Sequence, residues 1–230
     1  MMGLTSAISL PLGIGVGLYV GEYGGRISGL VRFSVTSMRA ISVFILGLAA
    51  LGLVISSSGT AFAPVIQGVG SLIGRGGTYL TASIFLSFLV IPVVARCTEQ
   101  GCRSLPPELR EASISLGVTP GYTLTRLILP WSLPNIITGL LIGCAEVAGA
   151  VGVIMFIAGT GDYGVGPTRQ VTSLDYLIFD EFFNRAGVHG IIMAPYQMMA
   201  AVLLLIIALG LSLAAVALKR RFGARFRSGS

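Results

Sequence analysis

The chain has 230 residues, of which 54% are hydrophobic and only 10% charged. A soluble domain carries roughly 25% charged residues, so this composition cannot clothe a water-facing surface and excludes an ordinary soluble enzyme or nucleic-acid-binding domain. The formal net charge is +6, but the cations sit at the ends of apolar runs and in the C-terminal segment, a pattern that belongs to membrane topology.

Five apolar runs are long enough to cross ~30 Å of hydrocarbon, which takes about 20 helical residues. They are roughly Thr5–Tyr23, Val35–Ile55, Thr78–Ala95, Leu133–Ala158 and Ile191–Leu218. None alternates apolar with polar residues as a barrel strand would. The predicted fold is all-α, a polytopic membrane helix bundle of about five transmembrane helices forming one domain over residues 1–230.

The opening residues, MMGLTSAISL, lack the positive n-region of a secretory signal. Twelve of the 15 Lys and Arg residues fall on one side of the predicted layer. They are Arg26, Arg32 and Arg39; Arg96, Arg103, Arg110 and Arg126; and Lys219, Arg220, Arg221, Arg225 and Arg227. Only Arg75, Arg169 and Arg185 fall on the other side. The first side is therefore expected to be cytoplasmic, with the basic tail at residues 219–230 inside the cell. The N-terminus then lies outside, which leads us to expect an upstream helix, either missing from this sequence or lost.

Three stretches lie between the runs. Ser56–Gly77 is Gly-rich and uncharged except for Arg75, which suggests a re-entrant segment. Gly159–Gly190 is expected to be external; its Asp180, Glu181 and Arg185 are either solvated or contact an extracytoplasmic protein. His189 has no evident partner. Residues 98–130 are expected to be cytoplasmic and to hold two short helices.

In that loop, Pro106 and Pro107 suit a first helical turn, where no amide hydrogen bond is needed. Glu108 and Glu111 follow near the turn where the helix dipole favours acids. Leu109, Ala112, Ile114 and Leu116 are apolar, and Gly117 supplies a left-handed stop. A second helix over Tyr122–Leu129 is expected, closed by Pro130 before the chain re-enters the membrane. Two short helices around a glycine stop make a rigid knob able to fit a groove on a partner.

Glu111, Ala112 and Gly117, followed by Leu127, Leu129 and Pro130, resemble the "EAA" loop of ABC importer permeases. Ser113 and Leu127 stand where that family usually has alanine and isoleucine. The stretches LPLGIGVGLYVGEY, PPELREASISLGVT and LPWSLPNIITGLLIG are similar to phosphate permeases of the PstA type. The resemblance implies a type I importer permease fold in which Glu108, Glu111, Ala112, Gly117 and Pro130 couple to a separate ATPase. It implies ATP-binding subunits in the cytoplasm, a second permease subunit, identical or related, and an extracytoplasmic solute-binding protein. Phosphate permeases usually carry Arg-Ala-x-Gly-Glu-Thr, where this chain has Glu146 at the arginine position and Ala150 at the glutamate position.

Glu146 lies within the fourth run, where an unpaired charge costs at least about 2.5–3.5 kcal/mol. It is expected to line the translocation path or to pair with a cation, the alternative being a structural, hydrogen-bonded acid. Arg39, four residues into the second run, reads as snorkelling to the interface, with a gate or anion contact as the alternative. Gly139, Gly143, Ala145, Gly149 and Gly152 mark the fourth run as a close-packed, central helix.

The only lysine is Lys219, so no Walker-type phosphate loop can form and ATP hydrolysis is expected on a partner. Cys97, Cys102, Cys144 and the single histidine give no zinc-type ligand set, and no cofactor motif is present. The function expected is a transport subunit, most simply for phosphate. Another oxyanion or a small polar solute is the alternative substrate, and a non-transporting scaffold or regulatory relic is the alternative class.

Overall fold

The computed structural model describes residues 1–22, 26–56, 79–157, 178 and 195–227. The segment after Ser56, the acidic and basic residues expected in the external loop, and His189 lie outside the described residues. Among the described residues the chain is helical and has no strand.

Helix α1 runs Met2–Glu22, α2 Arg26–Met38 and α3 Val43–Ser56. After the undescribed segment, α4 runs Tyr79–Arg103 and α5 Pro107–Ser115. Helix α6, Pro120–Thr123, passes through a π turn at Leu124–Ile128 into α7, Leu129–Ala148. A short α8, Val151–Ile157, and a long α9, Pro195–Arg227, complete the set. Among the described residues, four helical stretches are long and apolar enough to cross a membrane, and five if α2 and α3 count as one bent span.

Helix α4 is the centre. Of its most apolar window 61% is buried, against 6% for α9, which leaves α9 at the periphery. Ala82, Phe85, Leu86, Val90 and Val94 of α4 form the core with Val147 of α7, Ala150, Val153 and Ile154 around α8, and Ala50 of α3. Small residues bring the backbones together, as packing in lipid requires. A Cβ built on Gly17 of α1 would lie 2.5 Å from both the Ala95 carbonyl oxygen and Thr98 Cβ of α4. A Cβ on Gly143 of α7 would lie 2.5 Å from Val90 Cγ1. The expected central position of the Gly139/Gly143 helix is thus what the packing requires.

The contact order gives the directions. Gly13, Gly17 and Gly21 of α1 meet Val94, Thr98 and Cys102 of α4 in turn, so these two helices run parallel. Gly139 and Gly143 of α7 meet Cys97 and Val90, so α7 runs antiparallel to α4. Parallel neighbours demand an intervening return across the layer. Helix α2 begins it: Arg32 lies at Glu99 and Thr36 at Arg96, so α2 climbs against α4.

The structure corrects several sequence boundaries. The second run, expected to be unbroken over Val35–Ile55, is bent by 90° between α2 and α3. Three tight turns close α2: Arg39 N donates to Thr36 O, Ala40 N to Ser37 O and Ile41 N to Met38 O. Ser34 and Thr36 hydroxyls also bond back to the carbonyls of Leu30 and Arg32, which loosens the helix just before the bend. The fourth run breaks at Gly149, whose amide folds back to the Glu146 carbonyl at 3.2 Å.

Pro130 does not close a separate helix. It sits in the first turn of α7, in helix continuous from Pro120 to Ala148. The wider π turn just before it re-registers the hydrogen bonds where proline offers no donor. Helix α4 runs on past Ala95 to Arg103, and α9 runs on through the basic tail to Arg227, because Lys and Arg near a helix C-terminus suit its dipole.

Candidate functional site

Two places gather the residues singled out in sequence. The first is the α5–α6 knob. Pro106 lies just before α5, Pro107 opens it, and Glu108 occupies the first turn. Gly117 has φ +70°, the left-handed value a side chain resists. Its amide donates to Ile114 O at 2.9 Å, and Val118 N donates to Ser113 O at 3.3 Å. This pair of bonds is the Schellman closure, so the expected glycine stop is present in full.

No residue of α5 is buried. Glu108, Glu111 and Ala112 are exposed, as is Pro130 further along. Leu109, Ile114, Leu116 and Tyr122 are also exposed, with Leu116 at 80%. The knob nevertheless sits rigidly. Arg110 Nη2 donates to Glu22 Oε2 at the end of α1, at 2.8 Å. Thr123 Oγ1 donates to Ser113 Oγ at 3.4 Å, and Trp131 Nε1 donates to Ser104 Oγ at 3.2 Å. Beneath it Cys102, Leu105 and Ile128 form a small core. An apolar surface held in place but left uncovered is the usual mark of a partner contact.

The second place is the bend after α2. Arg39 does not stand alone: its Nη2 donates to Glu146 Oε1 at 2.9 Å. Their side chains are 45% and 36% exposed. The two path candidates, read separately in sequence, thus form one neutral pair. Glu146 also lines an open cleft of about 470 Å³ between α7 and α9, with Ile142, Ala145, Leu205, Ala208, Leu209 and Ser212. Glu146 is the charged side chain among the lining residues of this cleft.

Sequence reasoning missed Glu99. It is buried, with 8% of its side chain exposed, and Arg32 and Arg103 converge on it. The available signal was Arg103 four residues on, an acid-to-base spacing that pairs on a helix. Among the described residues, no three His, Cys, Asp or Glu side chains could hold a metal ion, and the three cysteines are free.

The chain is 30% identical over 191 residues to the phosphate transport system permease protein PstA 1 of Mycobacterium tuberculosis, covering 79% of this chain and 56% of that protein. It is 28% identical over 158 residues to the probable ABC transporter permease protein YqgI of Bacillus subtilis, covering 68% and 49%. The chain thus spans about half the length of the curated relatives it matches. The fold is similar to that of a chain from the inward-facing MetNI methionine ABC transporter, with TM-score 0.62 and 21% identity over 96% of this chain and 88% of that one. Residues 13–227 match the family described as binding-protein-dependent transport system inner membrane component. This multi-pass membrane chain, resembling PstA-type permeases and carrying a type I importer permease fold, belongs to that family.

Proposed function

We propose that this chain is the permease subunit of an ATP-driven importer, and that it carries phosphate. The single observation that carries this reading is the exposed apolar surface of α5 and its flanks, closed by Gly117 and braced by Arg110 on Glu22. Such a knob transmits force only if something outside the chain grips it. In this reading the grip is a cytoplasmic ATPase, contacted through Glu108, Glu111, Ala112 and Gly117, with Pro130 carrying the motion into α7. The resemblance to PstA-type permeases supports phosphate as the solute. The orientation follows the positive-inside bias, with the C-terminus of α9 in the cytoplasm. A second permease subunit and an extracytoplasmic binding protein complete the assembly, and the chain itself performs no hydrolysis.

Arg39 and Glu146 are the proposed path residues. Their pairing favours a second reading in which the solute is another oxyanion or a small polar molecule, because Glu146 presents a carboxylate acceptor to the cleft while Arg39 balances its charge. Uptake of labelled phosphate in cells lacking the native chain tests the first reading. Glu111→Lys and Gly117→Asp should abolish uptake while the protein still inserts at normal abundance. Normal uptake in both variants would remove the coupling role. Uptake of a different solute alone would move the substrate.

A further inference from the structure

Helix α2 is fastened to the bundle by a row of polar side chains. Arg32, Thr36 and Arg39 are spaced i, i+4 and i+7, so they lie along one side of α2 and its closing turn. Each has a partner on another helix. Arg32 Nη2 lies 2.9 Å from Glu99 Oε1 of α4, Thr36 Oγ1 accepts from Arg96 Nη2 of α4 at 2.6 Å, and Arg39 Nη2 donates to Glu146 Oε1 of α7 at 2.9 Å. Apolar burial adds little: Val35 is buried, whereas Ile27, Leu30 and Phe33 are exposed. Polar ties thus strap α2 to α4 at one end and to α7 about 10 Å further along.

Glu99 is the junction where this strap meets the knob. It is buried, and besides Arg32 it holds Arg103 Nη2 at 3.1 Å. Arg103 ends α4, and only Ser104, Leu105 and Pro106 separate it from α5. Helix α1 presses on the same place: a Cβ built on Gly21 would lie 2.8 Å from Cys102 Cβ and 3.6 Å from Glu99 Cα. The next residue, Glu22, accepts the Arg110 brace from α5 at 2.8 Å. The knob therefore reaches Glu99 by two routes, along the chain through Arg103 and across the Arg110–Glu22 pair. Nothing cushions the junction. The cavity between Val16 and Gly17 of α1, Arg32 of α2, and Arg96 and Glu99 of α4 is about 10 Å³, room for one water at most. A close-packed junction passes a displacement on where a loose one would absorb it.

We propose that Glu99 is a positioning residue for transport: it receives the displacement of the knob and, through Arg32, moves α2 as a rod whose far end resets the Arg39–Glu146 pair. Coupling between distant places needs an element whose position both ends bias, and α2 is that element. Glu99 lies outside the exposed apolar face of the knob and does not line the cleft beside Glu146, so it acts through α2. A shift of Arg39 then changes the charge that Glu146 presents to the cleft. The proposal rests on the importer reading, because the knob moves only if a nucleotide-binding subunit grips it.

The test uses the full chain with its co-purifying subunits, reconstituted in nanodiscs. Spin labels carried by unnatural amino acids at Ser37 of α2 and Ile137 of α7, both exposed, leave the native cysteines untouched. Their separation is read by pulsed electron paramagnetic resonance with and without ATP and vanadate. With Arg32 and Glu99 intact, nucleotide should change the separation by about 2 Å. R32Q/E99Q removes the tie without changing the net charge; it should keep the resting separation and the bound ATPase but lose the change. Arg32→Lys, which keeps the charge, should retain most of it. An undiminished nucleotide response in R32Q/E99Q would overturn the proposal. So would a resting separation already displaced in that variant, which would make Glu99 a packing residue only. An unresponsive wild type that still holds its ATPase would overturn it as well. Absence of any co-purifying ATPase would instead overturn the importer reading, and this proposal with it.

Discussion

Arg39 and Glu146 are 107 residues apart in sequence and meet at 2.9 Å. The contact ties the bend between α2 and α3 to the last turns of α7, where the helix breaks before Gly149. It places a neutral pair where sequence alone shows a lone acid and a lone base.

Breaking that pair leaves a half-exposed charge within an apolar bundle. Arg39→Gln or Glu146→Gln should each lower stability by about 1–2 kcal/mol, less than for a fully buried pair because both side chains reach the surface. The double variant should recover part of the loss. Thermal unfolding of the four proteins in detergent measures this, and strictly additive losses would mean that the pair contributes nothing.

The glycines of α1 should differ sharply in tolerance. A Cβ at Gly17 meets the Ala95 backbone oxygen, which cannot move aside, whereas a Cβ at Gly15 meets nothing within 4 Å. Gly17→Ala should cost about 1–3 kcal/mol by forcing α1 and α4 apart. Gly15→Ala should be neutral or slightly stabilising. Folded yield on size-exclusion chromatography distinguishes them, and equal behaviour would mean that α1 and α4 are not so closely packed.

Gly117 should accept asparagine better than alanine, because φ +70° costs an alanine about 1–2 kcal/mol and asparagine less. The loss falls on an exposed knob, so global unfolding should change little. Transport-coupled ATPase activity should fall more in Gly117→Ala than in Gly117→Asn. The reverse order would exclude a left-handed stop at this position.

Ile114 and Leu116 are 67% and 80% exposed, so Ile114→Asp and Leu116→Asp should leave the chain's own melting temperature unchanged. If a partner buries them, each loss removes about 1.5–3 kcal/mol of apolar burial and weakens association about 10- to 100-fold. Affinity of the purified chain for the proposed ATPase, measured by surface plasmon resonance, checks this. Unaltered affinity in both variants would leave the apolar surface without a role in docking.

Hydropathy alone marks the five runs, because twenty apolar residues have few places to go outside lipid. The knob is equally visible in Pro106, Pro107 and Gly117, whose backbone limits act locally. The breaks are not visible. The bend after α2 follows from the Ser34 and Thr36 back-bonds and three tight turns, inside a stretch that hydropathy reads as one continuous apolar run. Pro130 misleads for a related reason: a proline usually ends a helix, but the π turn at Leu124–Ile128 absorbs it. Glu99 is hidden because its second partner, Arg32, comes from another helix.

The most direct test of the docking role places a photoreactive amino acid at Leu116 and illuminates native membranes. Docking predicts one adduct of this chain with a nucleotide-binding subunit, formed from the cytoplasmic side and altered in yield by ATP. Labelling of position 116 by a membrane-impermeant reagent added outside intact cells, with no such adduct, would contradict it.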